Sequence, residues 1–567
     1  MADNADRPNQ LSGAEAMVSL LRAHGVDTVF GLCGDTSLPF YDALYRTGQD
    51  IRHVLTRDER SAAYMADGYA RVTGKVGVCE GPSGGGATYI LPGVVEANES
   101  SIPVLAITTD ISTTGRGHFT LTELDQQALF KPLTKFNATA HSAAMLPGQM
   151  REAFRQMTTG RPGAAHICLP LDVQSQPVEA REVWGDAALG AFPARRQAPD
   201  PLAIEEAAAM LKGSEFPVFI CGGGVVIAGA EEALALVAEA VDAPVATTVS
   251  GQGSIGDDHM LAVGVVGSNG GTMPTRGLLD QADCVVFVGC RAGSVTTERW
   301  RYPDPSRTRI IHIDCDPATI GANYDTDVAV VGDGRLALEA LAAVVKGSAR
   351  QRGAAELVAE MKEDKFTSFA SLAVSDDKPI RPERLVATLN RLMDPDATLV
   401  CDPGTPCPYF SAFYQTPLTG RRFISNRAHG ALGYALSAAV GAHIGRPEVK
   451  TVAVMGDGSF GFTCCELETV TRLGLPITFV VVSNSSFGWI KAGQRHSFGQ
   501  RFYSVDFTRT DHAAVASAFG LKSWKVEEPS QLENALREAL AHDGPTLVDV
   551  ICQPLDEAEA PVSEWIA

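Results

Sequence analysis

Short apolar runs rich in β-branched residues alternate with longer amphipathic stretches along the whole chain. Thr28–Phe30, Ile51–Leu55, Val76–Cys79 and Val104–Thr108 predict buried strands, and Ser61–Thr73 predicts a helix between two of them. That alternation is the mark of strand–helix–strand crossovers, which build parallel sheets covered on both faces. The first unit ends near Val173, after Ala164–Pro170, and residues 181–200 read as a linker with Gly, Pro and Arg. A second unit has strands at Val218–Cys221, Pro244–Thr248, Cys284–Gly289, Arg309–Asp314 and Val328–Val331. A charged helical stretch, Ala354–Ser371, leads to a third, with strands at Thr398–Cys401, Thr451–Gly456, Ile477–Ser483 and Pro545–Val550. The expectation is an α/β chain of three doubly wound parallel-sheet domains, at 1–180, 195–350 and 375–560. Units one and three are alike in length and strand spacing without convincing identity.

Composition narrows the function. A chain of 567 residues is too long for one core and suits about three or four domains. Its formal net charge of -20 repels phosphate backbones, so nucleic acid is not an expected partner, and an anionic ligand needs backbone amides or a metal ion to hold it. Met1–Asp6 is polar and acidic, unlike a signal peptide, and no apolar run approaches the roughly 20 residues that span a bilayer. The 12 cysteines form no C-x-x-C pair, and the adjacent Cys464 and Cys465 suit buried thiols better than a disulfide framework. A reduced cytoplasm is the expected location.

The most specific chemistry lies in the third unit. The strand Thr451–Met455 runs into Gly456-Asp457-Gly458-Ser459-Phe460, and a helical pattern follows through Leu473. A glycine turn between strand and helix lets backbone N–H groups approach a phosphate. An aspartate there would repel the phosphate unless a cation lies between them. The next strand ends at Ser483-Asn484-Ser485-Ser486, which places Asp457 and Asn484 side by side at the carboxyl ends of adjacent strands, where open α/β sheets bind ligands. One carboxylate, one amide oxygen and a nearby carbonyl make a hard-oxygen half-shell for magnesium. Alone, G-D-G equally describes a tight turn; the order strand, G-D-G, helix, strand, Asn is far more specific.

This stretch resembles the signature of thiamine-diphosphate enzymes, G-D-G followed some two dozen residues later by N-N, with Ser483 in place of the first Asn. The resemblance implies a magnesium ion held by the Asp457 and Asn484 side chains and the Ser486 carbonyl. It also implies diphosphate contacts from Gly404 and Thr405, after Asp402-Pro403, and from Gly456, Gly458, Ser459, Phe487 and Gly488.

In the first unit, Thr56-Arg-Asp-Glu59-Arg-Ser-Ala-Ala-Tyr-Met-Ala-Asp-Gly-Tyr-Ala-Arg71 is similar to the "H-E-x-x-A-x-x-M-A-D-G-Y-A-R" segment of the acetolactate synthase group. There the Glu pairs with N1' of the aminopyrimidine. A poorly solvated carboxyl keeps a raised pKa and shares a proton with that ring, so that the cofactor's thiazolium C2 can lose its own. Gly81-Pro-Ser-Gly84-Gly-Gly-Ala-Thr88 resembles the "S-G-P-G-A-T-N" turn, with Gly85 for Pro. Gly430-Ala-Leu432-Gly433 resembles "G-T-M-G", with Leu432 as the residue that holds the cofactor bent. Gln126 falls where acetolactate synthases carry an active-site Gln, and equally reads as an exposed loop amide. The family implies pyrimidine-binding, central Rossmann-like and diphosphate-binding domains. It also implies a homodimer at least, often a homotetramer, with Glu59 and the clamp meeting across a subunit interface.

The reaction is left between alternatives. The motif order points to an acetolactate synthase-like carboligase that decarboxylates a 2-oxo acid and joins the remainder to an aldehyde or 2-oxo acid acceptor. Asp35, followed by Thr36, stands where pyruvate decarboxylases carry "G-D-F-N", and His118 lies in the loop where those enzymes place histidines; such a pair would release an aldehyde. Trp489 and Ile490 face either the substrate or the protein's own packing. Gly493 replaces the Trp that favours 2-oxobutyrate, so the resemblance does not extend to a standard branched-chain biosynthetic role. Gly222-Gly223-Gly224 and Gly289-Cys290-Arg291 leave FAD in the central domain open, and with it a flavin-dependent oxidase resembling pyruvate oxidase.

Overall fold

A computed structural model describes residues 9–347, 351–558 and 560–562. The acidic N-terminus and the domain bounds expected at 1 and 350 lie outside the described residues. The chain divides into two compact units. One comprises Met1–Arg195, Ala428–Pro447 and Glu468–Arg472; the other comprises Arg196–Arg427, Glu448–Leu467 and Leu473–Ala567.

The first unit holds a six-stranded parallel sheet in the order Arg52–Leu55, Thr28–Gly31, Gly77–Gly81, Val104–Asp110, Ala165–Pro170, Phe136–Thr139. Its inner strands Gly77–Gly81 and Val104–Asp110 are buried at every position. Such strands, covered by helices on both faces, read as unbroken apolar runs. The helices Gly13–Ala23 and Leu146–Thr158 supply much of the core on one face, through Met17, Leu20, Leu21, Phe154 and Met157. Against the helix Glu59–Thr73 lies the helix Tyr434–Gly445, buried from Tyr434 to His443. Gly68 and Gly441 make that close crossing: a Cβ on Gly68 would strike the carbonyl of Ala438, and one on Gly441 that of Met65.

The second unit holds two such sheets. One runs Ala262–Val265, Val245–Thr247, Pro217–Cys221, Cys284–Val288, Arg309–Asp314, Val328–Val331, a strand order of 3-2-1-4-5-6 counted along the chain. This is the Rossmann order. The other runs Phe423–Ser425, Thr398–Cys401, Thr451–Gly456, Thr478–Ser483, Thr546–Ile551, Lys522–Val526. Counted the same way, the sheets at 28–170 and 398–551 are both 2-1-3-4-6-5. The likeness in strand spacing between units one and three thus reflects one shared topology.

Every strand expected from the apolar runs is present. Six strands among the described residues were not expected: Phe136–Thr139, Ala262–Val265, Phe423–Ser425 and Lys522–Val526, all at the edges of the six-stranded sheets, and Gln10–Ser12 with Pro177–Glu179, an antiparallel pair. All are short, at three to five residues, so each carries little periodic signal. The stretch at 181–200 is also more than a linker. It forms two 3-10 turns, Ala180–Glu182 and Ala187–Gly190, and buries Leu189 in the first core. The helical pattern after Gly456 is broken into Asp457–Thr463, a 3-10 turn at Cys464–Glu466, and Leu467–Leu473.

Candidate active site

Glu59 opens the helix Glu59–Thr73, whose first turn is capped by Asp58 accepting the Arg60 N–H at 2.8 Å. Its side chain is 8% exposed. Burial raises the carboxyl's pKa above its ordinary value; its own backbone N–H works against the shift and the neighbouring Asp58 charge adds to it. The glycine turn after the strand Gly77–Gly81 folds over this carboxyl. A Cβ on Gly86 would come within 3.0 Å of Oε1, and one on Gly81 within 3.4 Å of Cγ. Gly84 has φ +67, a conformation L side chains rarely adopt, and a Cβ there would meet Thr122 at 2.8 Å. The result is a desolvated carboxyl with a raised pKa, roofed by backbone, which suits pairing with a heteroaromatic ring nitrogen.

In the same unit the loop ahead of the helix Tyr434–Gly445 is anchored by Glu96, which is fully buried. Its carboxylate accepts the N–H groups of Ala428 at 3.4 Å, His429 at 2.8 Å and Gly430 at 3.3 Å. Gly430 and Gly433 take positive φ, at +72 and +86, and Leu432 between them is half-buried. The anchor Glu96 carries no sequence motif and was not expected.

The second cluster lies in the other unit, at the carboxyl ends of the strands Thr398–Cys401, Thr451–Gly456 and Thr478–Ser483. Asp457 is 5% exposed. Gly458 N–H donates to its Oδ1 at 2.8 Å, and the N–H groups of Asn484 and Ser485 donate to Oδ2 at 2.9 and 2.6 Å. Burial still raises its pKa above the ordinary value, against those three bonds. Asn484 Oδ1 accepts from Ser486 N and Oγ, each at 3.2 Å, and its Nδ2 reaches Thr405 Oγ1 at 3.5 Å. Ser485, at φ +58, turns the backbone between them. Ser459 donates its hydroxyl to Asp402. A Cβ on Gly404 or Gly456 would meet nothing within 4 Å, while Gly458 and Gly488 lie tight against Phe487 and Thr405 Oγ1, each at 2.8 Å. No Lys or Arg pairs with Asp457, and no group of three His, Cys, Asp or Glu side chains gathers among the described residues. A buried carboxylate served by neutral oxygens and amides, beside open glycines, has the donor chemistry for a hard divalent cation carrying a phosphate.

Three family models match this chain in succession. They are the thiamine pyrophosphate enzyme N-terminal TPP binding domain at residues 11–129, the central domain at 204–341 and the C-terminal TPP binding domain at 402–550. A probable acetolactate synthase large subunit of Methanocaldococcus jannaschii is 34% identical, over 96% of this chain and 93% of that one. The Methanococcus aeolicus protein of the same name is also 34% identical, over 96% and 92%. An acetolactate synthase of Arthrospira platensis is 31% identical, over 97% and 96%.

The chain belongs to the thiamine pyrophosphate enzymes. It is a thiamine-diphosphate-dependent enzyme, and Glu59 and Asp457 lie in the segments matched by that family's two TPP binding domains.

The remaining expected residues of this family member are distributed unevenly. Gln126 is not an exposed loop amide: it is 1% exposed, bonded to the Thr108 hydroxyl and to the Thr109 carbonyl at 2.9 Å. Thr36 is buried and bonded to Ser83 at 3.1 Å and Thr109 at 2.8 Å. Asp35 and His118 are both exposed, and no hydrogen bond joins them. Trp489 packs against the core of the sheet at 398–551, whereas Ile490 is 55% exposed one residue on. Ser483, the departure from N-N, sits in the strand-end network, 2.5 Å from Asp549 Oδ1 and 3.0 Å from His512 Nδ1. In the central sheet Gly222 and Gly224 lie against Gly289, so close backbone packing accounts for part of the glycine run. No helix among the described residues is long and apolar enough to cross a membrane.

Proposed function

We propose that this protein is an acetolactate synthase-like carboligase, which decarboxylates a 2-oxo acid and transfers the acyl-anion equivalent to an aldehyde or a second 2-oxo acid. One observation carries the reading: the desolvated Glu59 carboxyl under its glycine roof, in a chain whose near full-length relatives bear the acetolactate synthase name.

Bound thiamine diphosphate supplies the nucleophilic carbon and the electron sink that decarboxylation of a 2-oxo acid requires. Glu59 holds and exchanges the proton at the aminopyrimidine N1'. Gly84 and the turn around it, with Gly430 and Leu432, would bind the ring portion of the cofactor. Gly404, Thr405, Gly456, Gly458, Ser459, Phe487 and Gly488 would take the diphosphate. The side chains of Asp457 and Asn484 and the carbonyl of Ser486 would hold Mg2+ through hard oxygen donors. Asp35, Thr36, His118, Trp489 and Ile490 are the residues assigned to the substrate, and Asp35, His118 and Gln126 join Glu59 in catalysis.

The reading includes domains at 1–180, 195–350 and 375–560, a cytoplasmic location, and no nucleic-acid partner for so acidic a surface. It also includes a homodimer, doubled to a homotetramer, in which the Glu59 half of one protomer meets the Asp457 half of its partner.

The test is to incubate holoenzyme with a panel of 2-oxo acids, with and without acceptors, and to identify the products. A 2-hydroxy ketone from an aldehyde acceptor, or a 2-hydroxy-3-oxo acid from a 2-oxo acid acceptor, with one carbon dioxide per turnover is expected. Aldehyde alone would replace this reading with a simple decarboxylase, and a yellow enzyme that takes up oxygen would replace it with a flavin-dependent oxidase.

A further inference from the structure

Glu80 lies on the strand Gly77–Gly81 and is fully buried, yet no Lys or Arg pairs with it among the described residues. Its carboxyl is held by hydroxyls. Ser37 Oγ lies 2.6 Å from Oε1, and Tyr41 OH donates to Oε2 at 2.8 Å. From Ser37 a file of hydroxyls continues without a gap. Ser37 Oγ is 3.1 Å from Thr109 Oγ1, which is 2.8 Å from Thr36 Oγ1. Thr36 donates to Ser83 Oγ at 3.1 Å, and Ser83 Oγ is 2.7 Å from Thr122 Oγ1. Thr122 stands against Gly84, in the glycine turn that roofs Glu59. On the other side, Tyr41 OH is 3.0 Å from Nε2 of the half-buried His53.

Glu59, Tyr41, Cys33, Cys79 and His53 face this carboxyl. Burial, helped by the nearby Glu59 charge, pushes the Glu80 pKa up to about 8, against the Ser37 and Tyr41 hydrogen bonds. The carboxyl is therefore protonated near neutral pH. His53 is pushed down to about 4 by burial and is neutral there.

Carboligation by decarboxylation consumes one proton per turnover: a 2-oxo acid anion, an acceptor carbonyl and one proton become carbon dioxide and a 2-hydroxy ketone. We propose that Glu80 stores this proton and that the file Ser37–Thr109–Thr36–Ser83–Thr122 delivers it to the oxygen that becomes the product's new hydroxyl. The Glu80 O–H breaks as Ser37 Oγ takes the proton. Each hydroxyl along the file gains one proton and passes one on, Thr122 releases the last, and Glu80 is left as a carboxylate. Tyr41 then gives its proton to Oε2 and regains one from solvent through His53. This inference rests on the carboligase reading and on the place given there to Glu59.

The decisive experiment measures kcat, KM and cofactor affinity across pH 6–9.5 for the holoenzyme, Glu80→Gln and Thr109→Val. Glu80→Gln keeps hydrogen bonding but loses the store; Thr109→Val keeps Glu80 but cuts the file. Both are expected to lower kcat at neutral pH by roughly tenfold to a hundredfold, within the range of general acid–base contributions. KM and cofactor affinity should stay within about threefold. The wild-type fall in kcat above about pH 8 should vanish in Glu80→Gln. Should that variant fail to fold, Thr109→Val decides, with the solvent deuterium effect on kcat expected to bow with deuterium fraction in the wild type and to flatten in the variant. Both variants within twofold of wild-type kcat, with the pH profile unmoved, would overturn the relay. An active Glu59→Gln would instead overturn the cofactor reading, whereas an inactive Glu59→Gln beside normal Glu80→Gln and Thr109→Val would leave that reading standing and remove the relay alone.

Discussion

In the first sheet the strands Thr28–Gly31 and Gly77–Gly81 run side by side where the strand order reverses; in the third, Thr398–Cys401 and Thr451–Gly456 do the same. Such a reversal opens a crevice at the strands' carboxyl ends, and both sheets place their site residues there. In the third sheet the bridge across the crevice is the Ser459 hydroxyl on the Asp402 carboxyl group, with Asp457 and Asn484 beside it. In the first it is a web of Thr36, Ser37, Ser83 and Thr109 hydroxyls over the proton-holding Glu80. One topology thus offers a carboxyl-and-amide oxygen set that suits a cation and phosphate, and a hydroxyl-lined set that suits proton transfer. The difference comes from a few side chains and from how far each is desolvated.

Breaking the Glu59 half should have the largest effect. Glu59→Gln is expected to lower kcat by roughly 10²–10⁴-fold while thiamine diphosphate still binds, as followed by titration of the cofactor. Breaking the Asp457 half should act on binding instead. Asp457→Ala should weaken cofactor affinity by about 2–5 kcal/mol, roughly thirtyfold or more, with kcat partly recovered at saturating magnesium and cofactor. The two bridges should then separate in stability. Ser459→Ala removes a hydrogen bond to a carboxylate and should cost about 1.5–3 kcal/mol in denaturant unfolding; Thr36→Val removes hydroxyl–hydroxyl bonds and should cost about 0.5–1.5 kcal/mol. A larger cost for Thr36→Val would reverse the contrast.

The smallest effect is a pH slope. The folded state raises the Glu80 pKa from the ordinary 4.5 to about 8. Between those values the folded state binds more protons than the unfolded one, so the Glu80 contribution is intact below about pH 4.5 and declines as pH climbs toward 8. The thermal midpoint of Glu80→Gln, relative to wild type, should therefore rise steadily from pH 5 to pH 8. A flat difference would mean that Glu80 is already ionised in the folded protein.

Local pattern made much of the molecule legible. Inner strands such as Cys284–Val288 and the Val104–Ile107 part of Val104–Asp110 are buried on both faces and read as apolar runs. The two half-sites were legible because Gly456-Asp457-Gly458, the Glu59 segment and Gly84 each need particular residue types at fixed spacing. The edge strands Phe423–Ser425 and Lys522–Val526 were not, since the first is buried but only three residues long and the second is largely solvent-facing.

Burial and long-range partners were decided only by the tertiary structure. Gln126 reads equally as loop or site until Thr108 and Thr109, from another strand, enclose its amide. Glu96 belongs to no motif, yet it anchors the Gly430 loop through backbone N–H groups more than 300 positions away. Glu80 carries no signal in the sequence, because a single Glu in a strand has no period or spacing. What makes it a protonated carboxyl is the desolvation that folding imposes on it, against the Ser37 and Tyr41 hydroxyls brought to it from elsewhere in the chain. Residue type and spacing are local and survive in the sequence; dielectric and neighbours are properties of three-dimensional packing.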